Sequence, residues 1–323
     1  MSQTLAALDS EAAPPLLKVL LPLSHRLDCF VKTWILKALA RLAYEVHKFL
    51  YPPPNSIRPT LITYYPCRPS LQTRVFFPPT YESGRLLPVF LCIHGGGFAV
   101  GNPHQDDSIC SMLAKRTGML VVSLDYAKAP LHPFPAGVHD IGALADAVLA
   151  DPSLPIDQSR VAIGGFSAGG NLALSASLLP NLKGRIRAAV PFYPIVDWSN
   201  PQDVKLARRP YTDGPRIRWK HRGIGSTGPT SRSPPWIYMI AAQWDMLRLE
   251  SQEMIHSLAG LGAKDNQEED FEEGTYKWTL AMGCKHGFTH HFWEKPEEKK
   301  SRQEKCEPIY QEVVEWLRKA MRD

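Results

Sequence analysis

The sequence lacks the marks of several large protein classes. No C-x-x-C pair occurs among its six cysteines, and no N-x-S/T sequon is present. A chain of 323 residues can bury a core without disulfide staples. These absences favour a reducing, cytoplasmic setting. No metal-spaced His/Cys cluster stands out, so no metal or organic cofactor is expected. The glycine run at 94–97 fits neither G-x-G-x-x-G nor G-K-[ST], which argues against a phosphate-cradling loop there. The basic field of a nucleic-acid binder is missing too: 37 Lys and Arg against 32 Asp and Glu leave +5. Residues 16–23 (LLKVLLPL) are too short for a span, and Asp9 and Glu11 precede them where a secretory signal carries positive charge.

Hydrophobic residues at 44% and charged residues at 21% fit a globular protein and exclude a disordered chain, a collagen-like fibre and a multi-span membrane protein. Proline is abundant, 29 residues in all, so many stiff loops are expected.

Between Leu27 and Leu50, Leu27, Phe30, Val31, Trp34, Ile35, Ala38, Leu39, Leu42, Val46 and Phe49 recur at helical spacing, with Lys32, Lys37, Arg41, Glu45 and Lys48 largely between them. Its charges argue against a spanning helix. The simpler expectation packs the apolar stripe over the rest of the protein. The alternative lays a basic helix on a membrane surface, giving peripheral contact through residues 27–50.

From about residue 60 the pattern changes. Apolar, β-rich runs at 60–65, 71–77, 87–93, 119–125, 160–166, 186–193, 236–242 and 275–281 read as eight strands. Helix candidates lie near 105–117, 137–150, 168–179, 247–261 and 305–322. Continuous apolar strands separated by helices imply an α/β fold, with a mostly parallel sheet covered on both faces. Cys92 reads as a buried strand residue. The first two strands are joined so closely that they are expected to pair antiparallel. Two segments break the rhythm. One, 199–234, carries the basic residues Arg208, Arg209, Arg216, Arg218, Lys220 and Arg222; the other, 264–274, is acidic. Both read as solvated excursions.

Chemistry concentrates in three places. Gly165-Phe166-Ser167-Ala168-Gly169 reads G-x-S-x-G between a strand and a helix, where a tight turn exposes a serine Oγ and flanking glycines avoid collision. His94-Gly95-Gly96-Gly97 follows a strand. Its unshielded amides can converge on an oxyanion together with that of Ala168. His94 is read as an orienting hydrogen-bonder. A serine needs a base, and the base an acid; in this arrangement they follow as Asp or Glu, then His. Asp245 ends one late strand and His286 follows the next. Asp197 is the rival acid and Glu250 a weaker one. His290 and His291 lie close to His286. Phe98 and Phe288 flank these loops and are expected in the substrate pocket; Trp34 and Trp198 are further candidates.

These motifs resemble the hormone-sensitive-lipase-like, or fold-3 esterase, family of α/β-hydrolases. The matching segments are HGGG at 94–97, DYAKAPLHPFPA at 125–136, GGFSAGGNLAL at 164–174, DML at 245–247 and HGF at 286–288. The resemblance implies Ser167, Asp245 and His286 as a catalytic triad and Gly96, Gly97 and Ala168 as oxyanion amides. It also implies a small helical cap, formed by residues 1–59 and an insertion at about 197–233, over an α/β-hydrolase core at 60–323. Phe166 departs from the family, which often has Asp there, and the insertion is short for a cap. The expected function is hydrolysis of a small-molecule carboxylic ester. Acyl transfer or lactone opening on the same triad, and ligand binding without catalysis, are the alternatives.

Overall fold

The runs read as buried strands form the centre of one nine-stranded sheet. The computed structural model describes residues 22–52, 54–198, 205, 233–261, 269–290 and 296–322. In chain order the elements are α1 (Leu23–Leu50), β1 (Leu61–Tyr64), β2 (Gln72–Phe76), β3 (Leu87–Ile93), α2 (Asp107–Thr117), β4 (Leu120–Leu124), α3 (Ala136–Ala150) and β5 (Ile156–Phe166). There follow α4 (Ala168–Ser177), β6 (Ala188–Phe192), β7 (Trp236–Trp244), α5 (Arg248–Leu258), β8 (Phe271–Glu273), β9 (Tyr276–Lys285) and α6 (Pro296–Ala320).

The strand order is β1-β2-β4-β3-β5-β6-β7-β9-β8. Pairing is parallel from β4 through β9 and antiparallel for β1–β2, β2–β4 and β8–β9. A continuous apolar strand still alternates its side chains between faces. In β3, Val89, Leu91 and Ile93 join one core with Ile141 and Leu144 of α3 and Leu172 of α4. Phe90 and Cys92 join the opposite core with Leu113 of α2 and Val313 and Leu317 of α6. Both faces are therefore covered, and each Leu, Val or Phe so buried contributes about 1.5–3 kcal/mol.

The structure corrects several expectations. The ninth strand, β8, falls at the end of the acidic stretch. Charge pairing makes it possible: Glu272 meets Lys277 at 3.5 Å and Lys319 at 2.6 Å. The last helix begins at Pro296, ahead of the expected 305, and runs through Pro308. The helix expected over 27–50 is present, but the expected packing of its apolar stripe is reversed. Small or polar residues such as Thr33, Ala40 and Ala43 turn inward, while Leu27, Val31, Ile35, Leu42, Val46 and Phe49 are exposed. Lys37 Nζ donates to Ala129 O at 2.9 Å. The insertion at 199–232, apart from Lys205, lies outside the described residues, and its basic cluster with it.

Candidate active site

The strand ends at one edge of the sheet deliver the singled-out residues to one place. Ser167 stands between β5 and α4 with φ 53° and ψ −115°, a left-handed conformation that costs a non-glycine residue energy. The surroundings hold it there: Ser167 N donates to Phe192 O at 2.9 Å, and its own carbonyl accepts from Asn171 N at 3.1 Å. The turn is so close to β3 that a Cβ on Gly169 would sit 2.1 Å from Ile93 O. Only glycine fits there.

Asp245 follows the end of β7 and is buried; its Oδ1 accepts from Leu247 N at 2.9 Å. His286 follows β9. Its Nδ1 lies 2.7 Å from Asp245 Oδ2 and its Nε2 2.9 Å from Ser167 Oγ. The three side chains thus form one connected line. The Asp245 carboxylate can accept from Nδ1–H, which leaves Nε2 as an acceptor facing the serine hydroxyl.

The glycine loop after β3 forms the neighbouring wall. Gly96 has φ 119°, and its carbonyl accepts from Ala99 N and Val100 N at 3.1 and 2.9 Å. A Cβ at Gly96 would meet Val100 O at 2.1 Å. Ala168 is the first residue of α4, so its amide has no intrahelical acceptor. His94 is fully buried beneath this loop. Its Nε2 lies 3.0 Å from Asp125 Oδ1, its Nδ1 2.6 Å from Gly95 O, and its ring stacks on Tyr126 at 4.5 Å. Burial alone would push the Asp125 carboxyl up. Hydrogen bonds and charge from His94 and Lys128 outweigh that and hold it below its ordinary value. His94 therefore braces the loop, with both ring nitrogens engaged by Gly95 O and Asp125.

Ser167, His286, Gly96 and Gly97 open onto a cavity of about 1190 Å³, above the ~300–1,000 Å³ of most ligand pockets. Phe98 lines it, with its ring 5.8 Å from that of Trp198. Trp34 of α1 lines it as well. Phe288 does not line it. Past the turn at Gly287 its ring enters the core and packs 5.5 Å from Tyr193. Phe166, where the family often has Asp, packs against Phe192 at 4.9 Å and His290 at 4.5 Å. The rival acids have other partners. Glu250 pairs with Lys205 and accepts from Val196 N at 2.9 Å. Burial raises its carboxyl, and Lys205 opposes that. Asp197 lines the cavity, and its carbonyl accepts from Lys205 Nζ. His291 lies outside the described residues.

Sequence reading missed a second acid–imidazole contact in the cavity wall: His290 Nε2 lies 2.9 Å from buried Asp106 Oδ1. The spacing of His290 from His286 was visible, but Asp106 comes from a distant loop. One grouping of possible metal donors occurs among the described residues. His25, Asp28 and Cys29 bring their donor atoms within 4.8 Å on α1. It lies outside the cavity lining, and Lys32 already holds Asp28 at 2.7 Å.

A family model described as alpha/beta hydrolase fold matches residues 90–275, more than half of the chain. The chain belongs to this α/β-hydrolase family. The match covers the glycine loop, the serine turn and Asp245; His286 follows its end. Among curated proteins, this α/β-hydrolase is 40% identical to Esterase LipI of Mycobacterium tuberculosis over 103 residues, 31% of this chain and 32% of that protein. It is 35% identical to Carboxylesterase NlhH of the same organism over 148 residues, 44% of this chain and 46% of that one. The aligned part thus spans about a third to a half of the length of these curated relatives. Among solved structures, the thermostable carboxylesterase EstE1 from a metagenomic library matches with TM-score 0.68 at 24% identity, over 88% of this chain and 97% of that one. An esterase of Pyrobaculum calidifontis matches with TM-score 0.66 at 24% identity, over 90% and 94%. At that identity the structural likenesses speak for the fold.

Proposed function

We propose that this α/β-hydrolase cleaves carboxylic esters through Ser167, His286 and Asp245. The observation that carries the reading is the continuous line from Ser167 Oγ to His286 Nε2 at 2.9 Å and from His286 Nδ1 to Asp245 at 2.7 Å. The esterase names of the matched relatives agree with it.

His286 Nε2 takes the Ser167 proton as Oγ attacks the ester carbonyl. Buried Asp245 fixes the imidazole and stabilises the cation that forms. The amides of Gly96, Gly97 and Ala168 hold the oxyanion of the tetrahedral intermediate; one such donor is worth about 3–4 kcal/mol of barrier. The intermediate expels the alcohol, protonated by His286, and leaves an acyl group on Ser167. Water, deprotonated by His286, attacks that acyl group and releases the acid. Residues 1–59 and the insertion near 197–233 serve as the cap in this reading. Support for the first part is α1, whose Trp34, Lys37 and Arg41 line the cavity that holds Ser167.

The test is turnover of a p-nitrophenyl ester series from acetate to long acyl chains, beside Ser167→Ala and His286→Ala. Loss of turnover on the order of 10⁶ in both variants is expected. Folded wild type without turnover on any of these esters counts against the reading.

A further inference from the structure

The outward face of α1 is apolar and flanked by cations. Leu27, Val31, Ile35, Leu42, Val46 and Phe49 fall on one stripe, and all six are exposed, from 40% at Val46 to 84% at Phe49. A contiguous apolar face of this kind marks an interaction surface. Charge says what it meets. Residues 23–50 carry five Lys and Arg against two acids. Arg26, Lys37, Arg41 and Lys48, separated by eleven, four and seven residues, fall in one row along the helix. That row borders the apolar stripe on the side facing the body, and Lys37, Arg41 and Lys48 also line the cavity. Lys32 lies on the opposite flank. An apolar stripe edged by long cationic side chains matches an anionic lipid surface. The stripe enters the acyl boundary, and the charged ends of Arg26, Arg41 and Lys48 reach the headgroups, while Lys37 stays bonded to Ala129 O. Among the described residues no helix is long and apolar enough to cross a membrane, so the contact is peripheral.

We infer that the outer face of α1 docks the protein on an anionic lipid surface. Docking places the cationic row between the lipid and the cavity, so the cavity opens beside the layer. A lipid ester would then reach Ser167 without crossing bulk water; this last step rests on the hydrolase reading, whereas docking does not.

The experiment is co-sedimentation of the full chain with phosphatidylcholine vesicles, pure or containing about a third phosphatidylserine. Wild type should sediment with the anionic vesicles, on the order of tenfold more tightly than with the neutral ones. Arg26→Glu should lower binding to anionic vesicles alone. The double variant Leu42→Glu/Phe49→Glu, whose residues are exposed and outside the cavity lining, should stay in the supernatant. It should keep the wild-type circular dichroism and the wild-type rate on a water-soluble ester. Sedimentation needs no turnover, so an inactive protein that binds vesicles separates this inference from the hydrolase reading. Wild type that ignores both vesicle types, or a double variant that binds as well as wild type, overturns it. So does a wild-type dimer in sedimentation equilibrium that the double variant converts to monomer without any vesicle binding. In that case the face belongs to a second copy.

Discussion

The ring of Tyr193 stands edge-on to that of His286, with centroids 5.0 Å apart and planes at 65°. Tyr193 closes the end of β6 in a left-handed conformation, φ 38°, and its hydroxyl bonds to Thr289. Burial keeps the phenol protonated by pushing it well above its ordinary value. The ring is thus a fixed wall against which the imidazole rests.

Ring and hydroxyl should separate on mutation. Tyr193→Phe keeps the wall and removes the hydroxyl's hydrogen bond to Thr289 and its longer one, 3.4 Å, to His290 Nδ1, so about 1 kcal/mol of stability is lost, with turnover near wild type. Tyr193→Ala leaves a cavity and should cost about 3–5 kcal/mol, with turnover falling as His286 loses its support. Urea unfolding and ester kinetics on both variants check this.

Gly169→Ala should prevent folding, because its Cβ would lie 2.1 Å from Ile93 O, a backbone atom that cannot move alone. Gly137→Ala, in the first turn of α3, is the contrast. Its Cβ would meet Leu172 Cδ2 at 3.4 Å, an ordinary contact, and alanine favours the helix by about 0.5–1 kcal/mol. Soluble yield and thermal melting should rank Gly137→Ala at or above wild type and Gly169→Ala far below.

His104 lines the cavity, and burial, aided by the positive charge of Arg74 and Lys48, lowers its imidazole to about 4. The unfolded chain takes up this proton near the ordinary 6.5, the folded one only near 4. Between those values the unfolded state binds more protons, so stability falls as pH falls. Above 6.5 both states are neutral and the effect is absent. His104→Gln should flatten this limb of the urea-midpoint curve between about pH 6.5 and 4; an unchanged limb contradicts the assignment.

Asp245→Asn should preserve the fold but leave His286 in the wrong tautomer. A loss of about 10⁴ in kcat is expected, with KM little changed. Asp197→Asn, at a residue that lines the cavity while Asp245 holds His286 Nδ1, should change kcat by less than about tenfold.

What could be read in the sequence was what depends on neighbours in the chain. The strand–turn–helix around Ser167 carries its own steric logic, and Asp245 and His286 each sit just past an apolar strand, so their meeting followed from a parallel sheet. What could not be read depends on distant partners. Helical periodicity gave the α1 stripe but not the side on which the body lies, and the stripe faces out. Phe288 is two residues from His286, yet the turn at Gly287 sends its ring into the core. The acidic stretch looked solvated because Lys277 and Lys319, which pair with Glu272, lie outside it.

Ser167 as an activated nucleophile is the centre of this account. Its most direct test is labelling with a fluorophosphonate, followed by peptide mass spectrometry. Attack by Oγ on phosphorus expels fluoride and leaves the phosphonyl group on the serine. The account predicts one modified residue, Ser167, in wild type, with labelling slowed by orders of magnitude in His286→Ala. Folded wild type that takes up no label at Ser167, or a His286→Ala variant labelled as fast as wild type, would contradict it.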